Sequence, residues 1–368
     1  MKIVAFYLPQ FHEIEENNAW WGTGFTEWIN VKNAKPNFKG HYIPRVPLNN
    51  FYYNLTDSEV LKWQAKIAKK HGVYGFAFYH YWSEGSMLLQ KPAEILLKNI
   101  GIEMPFCFSW ANHTWTRSWA DKSDIILWKQ KYGDRNDWFN HFNYLLPFFK
   151  DKRYICIDEK PLMILYNPIG VKEFPEMMEF WQQLAKENGL PGICFVNQEN
   201  RYNHEIEMSG KGYSYGIEFQ MNMAVREFIK SNIPFAIERI LNRIADKFPI
   251  LRCKLTTMHY TYDQIWRIIL KQKPLGDTWF PGAFVDWDNT PRRKNRGQVC
   301  IGATPEKFEY YLTKAIKRAR EVYHKDYLFI FAWNEWGESG YLEPDEKYGY
   351  GMLEAVRNAL VANNELEC

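Results

Sequence analysis

The sequence predicts an α/β fold, a single-domain (β/α)8 TIM barrel, and three observations predict it. Eight short, nearly continuous apolar runs recur along the 368 residues, helical patterns separate them, and no linker rich in Pro, Gly or Ser divides the chain. Apolar runs without alternation mark strands covered on both faces, as in a parallel sheet. Eight such strands alternating with helices favour a closed barrel over a doubly wound sheet. A chain of this length buries about three quarters of its unfolded surface, sufficient for one large core.

Strands are read at 2–8 (KIVAFYL), 75–80 (GFAFYH), 105–110 (PFCFSW) and 161–166 (PLMILY), then at 192–197 (GICFVN), 214–219 (SYGIEF), 281–286 (PGAFVD) and 327–333 (YLFIFAW). Helices are expected at 57–71, opened by a Thr56-Asp57 cap, and at 91–99, 136–149, 172–188, 201–210, 227–247, 305–323 and 349–363. Two connections are oversized. Residues 9–56 carry Trp20, Trp21 and Trp28 in a polar, Gly- and Pro-containing loop, and a connection of that length is usually functional. The barrel domain thus spans 1–368, with 221–280 read as a basic helical insertion within it. Residues 225–273 hold ten Lys/Arg against four Asp/Glu. A basic amphipathic helix there either touches an anionic membrane surface or packs on the core with a solvated face.

Composition narrows the function. A net charge of +3 among 89 charged side chains argues against a nucleic-acid partner. Aromatics reach 17%, with 16 Trp, 23 Tyr and 25 Phe. Flat faces with polar handles suit sugars, and they also suit an aromatic core. The six Cys stand at least 38 residues apart, without metal-ligand or local disulfide spacing. No apolar segment is long enough to span a bilayer, and the first run reads as a strand, which predicts a cytoplasmic protein.

Barrel enzymes place their chemistry at the C-terminal ends of strands. That rule collects His80, Tyr81, Trp82, Trp110, Asn112, His113, Tyr166, Asn197, Glu218, Asp286, Trp287, Asn334, Glu335 and Glu338. Trp20, Trp21 and Trp28 of the first long loop are expected to wall the same cleft. Such a polar and aromatic set suits a polyhydroxylated ligand. The sharpest element is Asn334-Glu-Trp-Gly-Glu338, whose two carboxylates can separate into an acid and a base. Glycoside cleavage needs such a pair. If Glu338 is the acid, Trp336 and Glu335 are both expected to raise its carboxyl. Asp286-Trp-Asp288 could instead hold a divalent cation on a diphosphate. The adjoining Arg292-Arg293-Lys294 could meet phosphate or form a solvated loop.

The stretches AFYLPQFH (5–12), WWGTGFTEW (20–28), GFAFYHYW (75–82), FSWANHTWTRSW (108–119), KPLMILYNP (160–168), WDNTPR (287–292) and FAWNEWGESGYLEPDEKYGYGMLEA (331–355) resemble the WbsX-like family. That family is related to glycoside hydrolase family 99 and accompanies bacterial surface-polysaccharide assembly. The resemblance implies a (β/α)8 barrel and a retaining glycosidase or transglycosidase that needs neither metal nor cofactor. Its substrate would be an oligosaccharide or polysaccharide with an α-mannosidic or related link. By motif, Glu335 would draw the proton from the sugar's 2-hydroxyl as that oxygen attacks C1, and Glu338 would be the acid/base. The chain departs from the family 99 hydrolases at Gly337 and Ser339, where those carry His and Gly. A glycosyltransferase of O-antigen or capsule biosynthesis and a non-catalytic carbohydrate-binding barrel are the alternative readings.

Overall fold

Nine parallel strand segments make the central sheet: β1 (Lys2–Tyr7), β2 (Val73–Ser83), β3 (Phe106–Trp110), β4 (Lys160–Leu165), β5 (Cys194–Glu199), β6 (Tyr215–Glu218), β7 (Trp279–Phe280), β8 (Gly282–Phe284) and β9 (Tyr327–Phe331). The computed structural model describes residues 1–117, 125–168, 171–199, 212–231 and 258–366. The sheet runs β7-β6-β5-β4-β3-β2-β1-β9-β8. Its two ends are halves of one stretch of chain broken at Pro281. β7 pairs with β6, β8 pairs with β9, and the Pro281 carbonyl still accepts from the Phe329 amide at 3.1 Å. Proline lacks the ladder donor, so a strand that must leave one neighbour for the other breaks there. The ring closes as an eight-stranded barrel, in agreement with the expected fold.

Helices cover the outside: α1 (Glu15–Trp21), α2 (Glu27–Asn33), α3 (Ser58–Lys70), α4 (Lys91–Lys98), α5 (Arg135–Phe149), α6 (Phe174–Glu187), α7 (Asn222–Ser231), α8 (Tyr262–Lys271), α9 (Thr290–Arg293), α10 (Pro305–Glu321) and α11 (Gly351–Ala362). Their starts follow local chemistry. Asp57 accepts from the Glu59 amide, Asp134 from Asn136 and Asp137, and Thr304 from Lys307, each relieving an orphan donor of the first turn. Thr261 and Gln264 form a capping box on α8. Of the expected insertion 221–280, α8 and β7 are regular parts of the barrel; Trp266 of α8 stacks on Tyr311 of α10 at 5.5 Å. The expected helix at 201–210 and residues 232–257, which carry most of the basic amphipathic pattern, lie outside the described residues. Among the described residues, no helix is long and apolar enough to cross a membrane.

Strand alternation sets what faces the site. Successive side chains point to opposite faces. In β2, Tyr79 and Tyr81 turn into the barrel, where Phe6 packs 5.8 Å from Tyr79 and 5.3 Å from Phe219. Phe78, His80 and Trp82 turn out: Phe78 stacks on Tyr7 at 4.1 Å, and the other two lie under α5 against His141.

Candidate active site

At the C-terminal end of the strands opens a cavity of about 520 Å³, within the usual range for a small-molecule or oligosaccharide pocket. Aromatic faces supply much of its wall: Trp21, Tyr79, Tyr81, Trp115, Tyr166, Phe219, Trp287 and Phe331. Between them stand Gln10, His113, Asn167, Asn222, Asn289, Gln298, Arg292, Glu335 and Glu338. Burial pushes His113 down to about 4, so its ring is neutral near pH 7 and offers one donor and one acceptor.

The chain leaving β9 builds the two carboxylates into a tight hairpin. Asn334–Glu335 pairs antiparallel with Gly340–Tyr341, and a single 3₁₀ turn, Trp336–Glu338, joins them. Residues three apart on a 3₁₀ turn lie on one side, so Glu335 and Glu338 both face Arg292. Ser339 closes the turn in the left-handed region at φ 56°. Asn334 fixes the hairpin to β1: it accepts from the Leu8 amide at 2.7 Å and donates to the Leu8 carbonyl at 3.0 Å.

One guanidinium organises the charge. Arg292 Nε donates to Glu27 Oε1 at 2.7 Å, Nη2 donates to Glu335 Oε2 at 2.9 Å, and Nη1 lies 3.1 Å from Glu338 Oε1. Glu335 is deeply buried, its side chain 6% exposed, whereas Glu338 is 21% exposed toward the cavity. Burial raises the Glu335 carboxyl well above the usual range, and Arg292 opposes that rise. Trp336, expected beside Glu338, does not line the cavity with it. The Trp336 indole turns to the far side of the hairpin, where it donates to Glu343 at 2.7 Å and stacks on Tyr341 at 3.8 Å.

The structure brings seven of the expected residues to the cavity: Trp21, Tyr81, His113, Tyr166, Trp287, Glu335 and Glu338. The others stand behind it. His80 and Trp82 face α5, since they alternate with Tyr79 and Tyr81 along β2. Trp110 points outward too, donating to the Trp82 carbonyl and packing on Phe174. Asn197 is fully buried in β5 and does not reach the wall. Asn112 bridges two loops, donating to the Asn167 carbonyl and accepting from its amide, and so positions a wall residue. Glu218 faces outward to Tyr323 at 2.6 Å and the Leu275 amide at 2.8 Å. Trp28 is wedged behind the hairpin, 4.4 Å from Phe11 and 5.5 Å from Trp336, and Trp20 does not line the cavity but packs 5.8 Å from the wall residue Trp115.

The Asp286-Trp-Asp288 motif is taken up by the first long loop. Arg45 donates to Asp286 at 2.8 Å, while Asp288 meets His41 at 2.6 Å and Thr290 at 2.6 Å. Both carboxylates therefore have partners within the fold, and neither lines the cavity. From the sequence Glu27 has no site role, and Arg292 offers only a phosphate contact or a place in a solvated loop. They stand 265 residues apart, and only the fold reveals their contact.

Comparison with known proteins adds to this geometry. Residues 3–356 match the family described as Glycosyltransferase WbsX. Two curated relatives, both uncharacterized proteins named WxcX from strains of Xanthomonas campestris pv. campestris, are 32% identical over 367 residues. The alignment covers 97% of this chain and 49% of the relatives, so the chain spans about half their length. Among solved structures, the GH99 endo-alpha-mannosidase from Bacteroides thetaiotaomicron in complex with bis-tris-propane aligns with a TM-score of 0.58 and 13% identity, over 98% of this chain and 96% of that one. A glycoside hydrolase-like protein aligns with a TM-score of 0.60 and 12% identity, over 97% and 93%. At such identity the likeness concerns the fold, the same (β/α)8 barrel. By its sequence, the chain belongs to the family described as Glycosyltransferase WbsX.

Proposed function

We propose that the protein is a carbohydrate-active enzyme that cleaves or transfers a glycosidic bond with retention, on bacterial surface polysaccharide or its precursors. One observation carries the reading: a single hairpin presents Glu335 and Glu338 to a cavity of aromatic faces and amides. Glu335, deep in the wall, suits a contact with a ring hydroxyl. It takes the proton of the 2-hydroxyl as that oxygen bonds to C1. Glu338, nearer solvent, gives a proton to the departing oxygen as the C1–O bond breaks. Water then opens the anhydro ring at C1; Glu338 takes its proton and Glu335 returns one to the 2-oxygen. The more exposed carboxylate is better placed to meet both leaving group and water, which favours this division. A buried base must be ionised to act; burial favours the neutral Glu335 near pH 7, and Arg292, which opposes that rise, supports the ionised form the base needs.

Turnover of an oligosaccharide panel that includes α-mannosidic links, with the product anomer read by NMR, tests the reaction. Glu338→Gln should slow natural glycosides by ~10²–10⁴-fold, the usual loss of general-acid help. It should slow a glycosyl fluoride far less, because fluoride needs little protonation. Glu335→Gln should slow both alike. Equal defects of the two variants on the fluoride would refute the assignment. The family's description favours a second reading, a glycosyltransferase. Nucleotide release that requires both a nucleotide sugar and an acceptor would replace the first reading with that one.

A further inference from the structure

Arg292 is surrounded by three carboxylates from two elements: Glu27 at the start of α2, and Glu335 and Glu338 on the hairpin. The guanidinium's three nitrogens take one each, at 2.7, 2.9 and 3.1 Å. The Glu27 side chain is 1% exposed and does not line the cavity. The hairpin is shaped to this pair. A Cβ on Gly337 would lie 1.9 Å from Glu27 Oε1 and 2.8 Å from Arg292 Nε. A bare backbone at 337 is what lets the ion pair lie against the turn that carries both candidate reacting groups.

We propose that Arg292 and Glu27 are opposed positioning residues. Arg292 holds both carboxylates at the wall and keeps the buried Glu335 able to ionise, while Glu27 anchors the guanidinium from behind and tempers its pull. The proposal rests on reading Glu335 and Glu338 as the reacting pair. The groups facing Glu335 are Arg292 from α9, Glu27 from α2, Glu338 from its own hairpin, and Tyr79 and Tyr81 from β2. Both tyrosines stay neutral, raised by burial. The balance among the charged members is therefore three carboxylates against one guanidinium, and each substitution has a definite sign.

The test is a carboxyl titration by carbon NMR on the full chain labelled at glutamate, with Glu335→Gln identifying the Glu335 signal. Glu27→Gln keeps an oxygen that accepts from Arg292 Nε and removes one negative charge. It should lower the Glu335 midpoint by about one unit. Arg292→Gln should raise it by about one unit or more, and Arg292→Lys, which keeps the charge without the three-way fork, should fall between. Opposite shifts support the proposal, whereas shifts in one direction, or none, overturn it and leave the pair a packing element. Near-isosteric Glu27→Gln keeps the test available if Arg292→Gln does not fold. The readout needs no substrate, so a protein that turns over nothing would defeat the proposed reaction and leave this result standing.

Discussion

At the scale of single residues, the site depends on what is absent from position 337. The hairpin backbone packs against an oxygen of Glu27, and an added methyl group has no space beside it. Gly337→Ala should destabilise the protein by about 1–3 kcal/mol, the ordinary cost of overpacking. Glu27→Ala removes the colliding oxygen, so the same Gly337→Ala change should cost clearly less in that background. Urea unfolding of the four proteins of this cycle measures the difference, and an equal cost in both backgrounds would show that the crowding lies elsewhere. Ser339 presents the converse case. It holds a left-handed φ of 56° that glycine adopts more cheaply, so the turn keeps its shape against a local preference. Glu343, on the far side, shows how that shape is held. It accepts from Trp336, Tyr53 and Gln64, each at 2.7 Å, with burial raising its carboxyl to about 7.

At the scale of elements, β2 and α5 are joined by a buried histidine pair. The Nε2 atoms of His80 and His141 lie 2.8 Å apart, and Trp82 stacks on His141 at 4.4 Å. One ring must donate and the other accept, so both cannot be protonated at once, and burial favours the neutral form of each. Burial lowers His80 to about 3 and His141 well below its ordinary value. The sign follows from linkage: below pH 6.5 the unfolded chain binds protons that the folded protein refuses, so stability falls as pH falls. Each histidine should contribute a loss of about 2 kcal/mol between pH 6.5 and pH 5. His141→Gln can keep a donor toward His80 and removes one of these losses. Its stability, followed by urea unfolding from pH 7 to 5, should fall about 2 kcal/mol less than that of the unsubstituted protein. Parallel curves would mean that His141 is charged in the fold. The same strand shows where sequence reading stopped. Its apolar run was legible because both faces are covered. Reading His80, Tyr81 and Trp82 as one group ignored the pleat, which sends the middle residue inward and its neighbours out. Glu335 and Glu338 were legible because both follow the last strand within seven residues of chain, whereas Glu27 and Arg292 meet only through the closure of the fold.

At the scale of the whole molecule, the barrel was legible from its strand count, but its seam was not. The run at 281–286 reads as one strand, yet the chain from Trp279 to Phe284 serves two neighbours in turn, with Pro281 at the break. Closure brings β8 very near β6. A Cβ on Gly282 would sit 1.9 Å from the Glu218 carbonyl oxygen, a backbone atom that cannot swing aside. Nothing crowds Gly101, whose backbone tolerates a side chain. Gly101→Ala should therefore be neutral or stabilising by up to about 1 kcal/mol. Gly282→Ala should cost about 3 kcal/mol, at the upper end of overpacking, because the seam must open to admit it. Opening has a local signature. The Phe329 amide, which donates to Pro281 across the seam, should exchange with solvent faster in Gly282→Ala by far more than the loss of global stability accounts for. Amides of β2 and β3, remote from the break, should follow global stability alone. Uniform acceleration across all strands would show instead that the barrel unfolds as one unit, with no weak point at its broken strand.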